Sequence, residues 1–249
     1  SSVRAPVGVE VGFIILEDET CRTIAAIAER SKNASVGSSL QRRKQPPYLG
    51  KFGPRLIENG FDIVPVRPNT KAPYLASWQK LKTKSKKALL QLSKKLPKFS
   101  IGIDTARTPA IDLDCDHSDI VRILRSEIQQ KYPGTLERQG RGVRTAFIFQ
   151  TGAPFGKQYS SIWHDEAGKE QKLEILGDGQ QLVAYGYHPD TQLPYTWYED
   201  RISSGPIKRT RASLPELYVD DARFWCKRFD ELAEAKGWTM KKNTSPPEG

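Results

Sequence analysis

The sequence Ala110-Ile-Asp-Leu-Asp-Cys-Asp116 alternates apolar and acidic side chains. Successive side chains of a β-strand point to opposite faces, so the alternation predicts a strand with Asp112, Asp114 and Asp116 on one face. Carboxylates at that spacing repel one another, and Asp is disfavoured inside strands, so the arrangement is costly unless a cation lies against it. Oxygen ligands without a nearby set of Cys and His favour magnesium or manganese over zinc. The alternative is a solvated edge strand whose acids discourage aggregation.

A further carboxylate, Glu174, lies between two apolar residues in a second short apolar stretch. Two or three carboxylates on adjacent strands can hold two cations and the phosphates that the cations bridge. Glu174 therefore extends the candidate metal site of Asp112 and Asp114. The alternative for Glu174 is a surface ion pair with Lys172.

The 249-residue chain carries 39 Lys plus Arg against 29 Asp plus Glu, a formal net charge of +10. Such a surplus attracts polyanions or anionic lipid surfaces. The surplus is concentrated between residues 79 and 98, which contain no acid and hold Lys80, Lys82, Lys84, Lys86, Lys87, Lys94, Lys95 and Lys98. Interspersed leucines predict one basic amphipathic helix over these residues. Because lysine contacts phosphate without reading sequence, the helix suits a phosphodiester backbone, and a solvated helix face is the alternative.

The sequence also excludes several classes of protein. No stretch approaches the ~20 uninterrupted apolar residues of a transmembrane helix, and no signal-peptide pattern begins the chain. The cysteines Cys21, Cys115 and Cys226 stand far apart without a CxxC pair, which predicts neither a disulfide framework nor a zinc site. We therefore expect a protein of a reducing, cytoplasmic compartment, without a membrane partner.

Breaker residues and apolar periodicity divide the chain into three predicted segments. Residues 1–50 are predicted to form an N-terminal helix (residues 20–30) and a flexible arm, residues 51–212 a compact domain, and residues 213–249 a C-terminal helical region and tail. Within the compact domain, strands are predicted at residues 60–66, 100–103, 108–116, 145–150, 171–176 and 180–187, and helices at residues 79–98 and 119–132. Gly177-Asp-Gly179, between the last two strands, is typical of a hairpin turn. The mixture of elements predicts an α+β fold.

An ordered set of short motifs runs through the compact domain. The motifs are Gly60-Phe-Asp-Ile-Val-Pro65, Lys71-Ala-Pro73, Trp78-Gln79, Ile101-Gly-Ile103, Ile111-Asp-Leu-Asp114, Leu173-Glu-Ile-Leu-Gly-Asp-Gly179, His188-Pro-Asp-Thr191 and Pro194-Tyr-Thr-Trp197. Across residues 51–197 this order resembles the bifunctional primase-polymerase domain of the archaeo-eukaryotic primase superfamily, in the form found in phages, prophages and plasmids. The resemblance implies a primase-like fold in which an RRM-like mixed or antiparallel sheet, flanked by helices, carries the acidic site.

The resemblance also implies an activity, the template-directed addition of nucleotides in replication of a phage, prophage or plasmid. Asp112 and Asp114 match the family's metal-binding acidic pair and Glu174 matches its third acidic motif, so these three are the candidate catalytic and metal-binding residues. Mg²⁺ or Mn²⁺ held there would serve two-metal phosphoryl transfer, in which the protein mainly positions groups and neutralises charge. The implied partners are a single-stranded DNA template, NTPs or dNTPs, and a helicase domain, and the implied setting is the cytoplasm of a bacterial or phage-infected cell. We expect this chain to be a piece of a longer polypeptide, with the helicase domain C-terminal to it or in trans.

Arg144, Arg138, Lys71 and His188 are the candidates for binding the nucleotide. Many family members have a histidine between the two acidic motifs, whereas this chain has Arg138-Gln-Gly-Arg-Gly-Val-Arg144. Arg144 is predicted to take that place, since forked guanidinium donors suit a triphosphate. Lys71 matches the family's basic residue shortly before a proline, and His188 lies where relatives keep a histidine. The alternatives are solvated basic side chains and, for His188, pairing with Asp190.

Contacts with nucleic acid are predicted for Lys80, Lys82, Lys84, Lys86, Lys87 and Trp78. Trp78 and Trp197 have aromatic faces that can stack on any base, and burial in the core is the alternative for both. Two other functions fit these residues. One is a primase-like nucleic-acid-binding module with weak or no catalysis, which the missing histidine favours. The other is a metal-dependent nuclease, although a nucleophilic tyrosine with a paired histidine motif is not evident.

Overall fold

The computed structural model describes residues 46–81, without the side chains of residues 80 and 81, and residues 86–241. In chain order the elements are α1 (Tyr48–Glu58), β1 (Ile63–Val66), α2 (Lys86–Lys95), β2 (Ser100–Asp104), β3 (Ala110–Asp114), α3 (Ser118–Lys131), β4 (Leu136–Gln139), β5 (Thr145–Ile148), β6 (Gln158–Tyr159), β7 (Trp163–His164), β8 (Glu170–Leu176), β9 (Gln181–Tyr185), β10 (Thr196–Glu199), β11 (Ile202–Ser203), α4 (Val219–Ala235) and β12 (Thr239–Met240). The strands pair antiparallel. The predicted α+β class with an antiparallel sheet is confirmed.

The larger sheet, called the main sheet below, has the strand order β11-β10-β4-β5-β3-β8-β7-β12, with β6 added to β8. β3 contains most of the acidic alternation and lies between β5 and β8. In the register of these pairs, Asp112 is opposite Ala146 on β5 and Glu174 on β8. Directly opposite residues of antiparallel strands are neighbours on one face, so Asp112 and Glu174 lie side by side.

Helices α3 and α4 cover one face of the main sheet. Ile111 and Leu113, the apolar alternates of β3, are buried in one cluster with Leu124 of α3 and with Trp225 and Phe229 of α4. The apolar residues of both helices recur at helical spacing, which gives each helix a face to bury. Burial of Ile111 and Leu113 directs the acidic alternates of β3 toward the other face of the sheet.

A second sheet, of strand order β1-β2-β9, covers part of that other face together with α1. Ala110 of β3 and Leu176 of β8 are buried in one cluster with Ile101 of β2. The cover does not extend to the acids, because the side chains of Asp112 and Asp114 are 27% and 36% exposed. One face of β3 is therefore apolar under the second sheet and acidic where the main sheet is open.

The connection between β8 and β9 differs from its prediction. β8 pairs with β3 in the main sheet, whereas β9 pairs with β2 in the second sheet, so the predicted hairpin is wrong. Gly177 begins a link between two sheets, and a Cβ added to it would lie 2.2 Å from the carbonyl oxygen of Phe155. Glycine is needed there because the two backbones approach so closely.

Gly177→Ala is expected to lower the free energy of unfolding by about 1–3 kcal/mol, because the obstructing Phe155 oxygen belongs to the backbone and must be displaced. Urea unfolding followed by circular dichroism measures the change. Gly156→Ala is the matched control, since a Cβ at Gly156 meets nothing within 4 Å. Its expected change is within about 0.5 kcal/mol. Equal unfolding midpoints for the two variants would contradict the steric argument.

The basic segment differs in part from the single helix predicted over residues 79–98. α2 covers Lys86–Lys95, whereas Trp78–Leu81 forms a 3-10 turn. Lys82 and Lys84 lie outside the described residues, as do residues 242–249 and the helix and arm predicted before residue 46. α1 crosses residue 50, and the division of the chain into three segments stays a prediction. Within residues 46–81 and 86–241, no helix combines the length and apolar character needed to cross a membrane.

Candidate active site

A pocket of about 110 Å³ lies beside Asp112 and Asp114 on the open part of the main sheet. Its lining includes all four residues predicted to bind a nucleotide, and the set is Lys71, Asp112, Asp114, Arg138, Gly140, Arg141, Arg144, His188, Asp190 and Tyr195. Two carboxylates at one wall therefore face a cluster of basic side chains. Glu174 lies outside this lining, next to Asp112 on β8.

Arg144 connects Asp114, the last residue of β3, with Asp116 through all three nitrogen atoms of its guanidinium. Its Nε and Nη2 donate to the two carboxylate oxygens of Asp116, at 2.6 Å and 2.9 Å, while Nη1 donates to Asp114. Lys169 also donates to Asp116. The hydrogen bond from Arg144, followed by that from Lys169, holds the pKa of Asp116 far below its usual value. Asp116 shares the alternation of Asp112 and Asp114, but it serves as an anchor for basic side chains.

Arg138 lies beneath the pocket and is only 8% exposed. Its Nη1 donates to the carbonyl of Val183 at 2.7 Å, and its guanidinium lies over the ring of Tyr195 at 4.6 Å from the centroid. Its Nη2 is 3.7 Å from Oδ1 of Asp112. The packing fixes Arg138 as a buried positive charge beside Asp112, and its predicted contact with the nucleotide stays a prediction.

Asp112 and Glu174 are adjacent but differ in their electrostatic surroundings. Burial raises the pKa of Asp112, and the negative charges of Asp114 and Glu174 add to this against the opposing charge of Arg138. Burial also acts to raise the pKa of Glu174. Hydrogen bonds from Lys157 and Lys172, each 2.8 Å from Oε1, outweigh it and lower the pKa. A cation placed between the two carboxylates would relieve the unfavourable charge on Asp112.

His188 and Lys71 border the pocket from the second sheet's side. Nδ1 of His188 accepts a hydrogen bond from the backbone N–H of Asp190 at 3.2 Å, so Nε2 carries the proton of the neutral ring. Burial and the nearby charge of Lys71 lower the pKa of His188, which keeps the ring neutral at pH 7. His188 is therefore a buried, neutral hydrogen-bond donor, and Lys71 is an exposed cation.

The sequence that builds this pocket matches a known family. Residues 54–217, more than half of the chain, match the family model described as bifunctional DNA primase/polymerase, N-terminal. The chain belongs to this family. The matched region begins within α1, ends just before α4 and contains every residue that lines the pocket. A comparison with curated proteins finds no match. Membership in the primase-polymerase family assigns primase- or polymerase-type nucleotidyl transfer to the chain, with DNA and nucleotides as substrates.

Primase-polymerase enzymes generally use divalent metal ions. Hard oxygen donors lie side by side here, and the pKa of Asp112 is raised, so the donor chemistry fits such an ion. Asp112, Asp114 and Glu174 are the residues that would hold it. Among the described residues, no three His, Cys, Asp or Glu side chains already form a metal-binding group. Arg144 binds Oδ1 of Asp114 and two lysines bind Oε1 of Glu174, so a metal at these carboxylates would share them with the basic side chains or displace those side chains.

Of the residues predicted to contact nucleic acid, those with described side chains do not line the pocket. Trp78 lines a separate cavity of about 310 Å³ with Leu75 and Leu89, while Lys86 and Lys87 are exposed at the start of α2. The side chain of Lys80 lies outside the described residues. Trp197 is buried and donates from Nε1 to the carbonyl of Ala184 at 2.8 Å, so the core alternative holds for this residue.

Sequence reasoning missed two contributors to the primase-polymerase site. Tyr195 lies in the Pro194-Tyr-Thr-Trp197 motif, which was a signal for its position but not for its contact with Arg138. Lys157 has no sequence signal at all. It reaches Glu174 because the two-residue strand β6 pairs with β8, and such short strands have no detectable periodicity.

Proposed function

We propose that this protein extends or initiates strands on a single-stranded DNA template with NTPs or dNTPs, using Mg²⁺ or Mn²⁺, in replication of a phage, prophage or plasmid. One observation supports this more than any other. The pocket has two carboxylates of β3 at one wall, and arginine, lysine and histidine side chains are most of the residues that line the rest. Phosphoryl transfer requires this pairing, because the protein must both hold a polyanion and neutralise the charge that develops on it.

The basic side chains of the pocket would bind the triphosphate. Arg144 and Arg141 offer forked donors, Lys71 a compact charge, and His188 a neutral donor at Nε2. Arg138 is buried and faces Asp112, so its role would be to hold that carboxylate in place. The other basic side chains of the pocket would thus bind phosphate, whereas the buried Arg138 would orient Asp112.

The acids would position the reacting groups. Divalent cations held by Asp112, Asp114 and Glu174 would neutralise the phosphates and lower the pKa of the attacking hydroxyl. Asp112 and Glu174 are opposite each other in the β3–β8 register, which presets the spacing of their carboxylates on a rigid sheet.

Asp116 would act as a positioning residue for Arg144. It binds the Nε and Nη2 edge of the guanidinium, and Nη1 remains directed toward Asp114 and the pocket. If Asp114 held a cation, Nη1 would be free to bind phosphate, and Asp116 would keep the guanidinium in place. Arg144 would thus pass from an acid to the substrate without leaving the site.

Incorporation of labelled NTPs and dNTPs on single-stranded DNA, with and without a primer and with either metal, tests the proposed function. We expect product that depends on template and on the divalent ion. If no combination of nucleotide, primer and metal gives product, the polymerase proposal is wrong. Cleaved template in the absence of nucleotides would indicate the nuclease alternative.

The second candidate is a primase-like binding module with weak or no catalysis. It is favoured by the pairing of Asp114 with Arg144 and of Glu174 with two lysines, which leaves the acids neutralised by the protein itself. Nucleotide binding distinguishes the candidates. A polymerase binds nucleotide more tightly when Mg²⁺ or Mn²⁺ is present, whereas a module that binds only DNA has no such requirement.

A further inference from the structure

Tyr159 is an aromatic side chain that lies 70% exposed on a short edge strand of the main sheet. It is directly opposite Glu174, and Glu174 is directly opposite Asp112. The three residues therefore form one row across β6, β8 and β3, on the same open face. At the usual strand spacing, the strand of Tyr159 is about 10 Å from that of Asp112.

The pocket lies on the other side of Asp112 in the same row. Continuing across β5 to β4, the register places Ala146 and then Arg138, and the pocket lies over this part of the sheet. In-line phosphoryl transfer places the attacking and leaving oxygens on opposite sides of the phosphorus. If the triphosphate occupies the pocket with its α-phosphate beside Asp112, the leaving pyrophosphate points into the pocket and the attacking hydroxyl comes from the side of Glu174 and Tyr159.

Two lysines accompany Tyr159 on that side. The Nζ atoms of Lys157 and Lys172 are each 2.8 Å from Oε1 of Glu174, and their side chains are about one third exposed. An exposed ring beside two ammonium groups has the chemistry that binds single-stranded nucleic acid, by stacking on a base and by contact with the backbone. Single exposed hydrophobic side chains are common on protein surfaces, so the argument depends on the position of Tyr159 in the row and on the two lysines beside it.

We propose that Tyr159, Lys157 and Lys172 form an acceptor surface, which binds the nucleotide whose 3′-hydroxyl attacks the incoming triphosphate. Tyr159 stacks on the base of that nucleotide, and the lysines contact its backbone. This assignment rests on the proposed function for the direction of attack. The nucleic-acid contact itself rests only on exposure, register and charge.

Binding of a fluorescein-labelled single-stranded DNA oligonucleotide, measured by anisotropy without metal or nucleotide, tests the acceptor surface. Tyr159→Ala is expected to weaken binding roughly five- to hundredfold, the usual effect of losing one base-stacking ring. Tyr159→Phe keeps the ring and should bind within about twofold of the unchanged protein. Tyr218→Ala is the matched control, because Tyr218 is 55% exposed but precedes α4, outside the row and the pocket.

Primer extension supplies the second measurement. Tyr159→Ala should raise KM for the primer and leave KM for the nucleotide unchanged. The acceptor surface is disproved if Tyr159→Ala binds DNA like the unchanged protein, if Tyr218→Ala loses as much affinity, or if only KM for the nucleotide rises. Should the unchanged protein bind DNA but make no product, the proposed function fails, and the anisotropy series still decides whether Tyr159 contacts the strand.

Discussion

Replacing both Asp112 and Asp114 by Asn is expected to lower nucleotide incorporation by roughly a thousandfold or more. Asn keeps the shape of the side chain but removes the charge that would attract a divalent cation. Glu174 cannot compensate, because it would be the one carboxylate left of the three and it is already paired with Lys157 and Lys172. Steady-state incorporation of labelled nucleotide on a primed template measures the loss.

The double variant should still bind single-stranded DNA at least as tightly as the unchanged protein, since two negative charges are removed from the site. Asp200→Asn with Asp220→Asn is the matched control, because it makes the same change in net charge at two exposed positions outside the pocket. The control should retain full incorporation. Burial already disfavours the ionised form of Asp112, so the neutral substitution is not expected to unfold the protein. A folded double variant with near-normal incorporation would contradict the assignment of the acidic pair.

The acidic strand could be predicted from sequence because each of its faces has a requirement, burial for the apolar residues and exposure for the acids. Ile111 and Leu113 must be buried and Asp112 and Asp114 must not, so only one orientation of β3 satisfies both requirements. The order of the motifs predicted the family, and the match of residues 54–217 to the family model confirms that prediction.

The partner of each strand was harder to predict. Gly177-Asp-Gly179 has the local chemistry of a hairpin turn, but local chemistry does not specify whether the next strand returns to the same sheet. β4 also escaped prediction, because Leu136-Glu-Arg-Gln139 is mostly polar. Its Glu137 is buried with partners from elsewhere in the chain, Arg125 at 2.8 Å and Thr145 at 2.6 Å. A strand whose polar residues are satisfied by distant side chains has no apolar alternation to detect.

Side-chain pairing within the site likewise depends on register and not on sequence spacing. The alternation put Asp116 on the same face as Asp112 and Asp114, but β3 ends at Asp114 and Asp116 is held by Arg144 and Lys169. The same sequence pattern therefore contains candidate metal ligands and an anchor for an arginine. Only the position of the strand end separates these roles.

Arg144→Gln is expected to change the affinities for nucleotide and for metal in opposite directions. Loss of its charge-assisted hydrogen bonds to phosphate should lower kcat/KM for the nucleotide roughly a hundredfold. The same substitution frees Asp114 from Nη1, so Mn²⁺ should bind the nucleotide-free protein more tightly than before. Electron paramagnetic resonance of free Mn²⁺ measures the second effect without any turnover.

Asp116→Asn tests the role of the anchoring carboxylate independently of the role of Arg144. The variant keeps Arg144 but removes the carboxylate that binds Nε and Nη2, so the guanidinium should lose its fixed position and KM for the nucleotide should rise more than kcat falls. Arg144→Lys keeps a charge but cannot bind Asp116 and Asp114 together, so it should recover only part of the lost activity. Weaker Mn²⁺ binding in Arg144→Gln would show that Arg144 does not compete with the metal for Asp114. The proposal that Arg144 passes from Asp114 to the phosphate would then be wrong, even if the enzyme proved to be a polymerase.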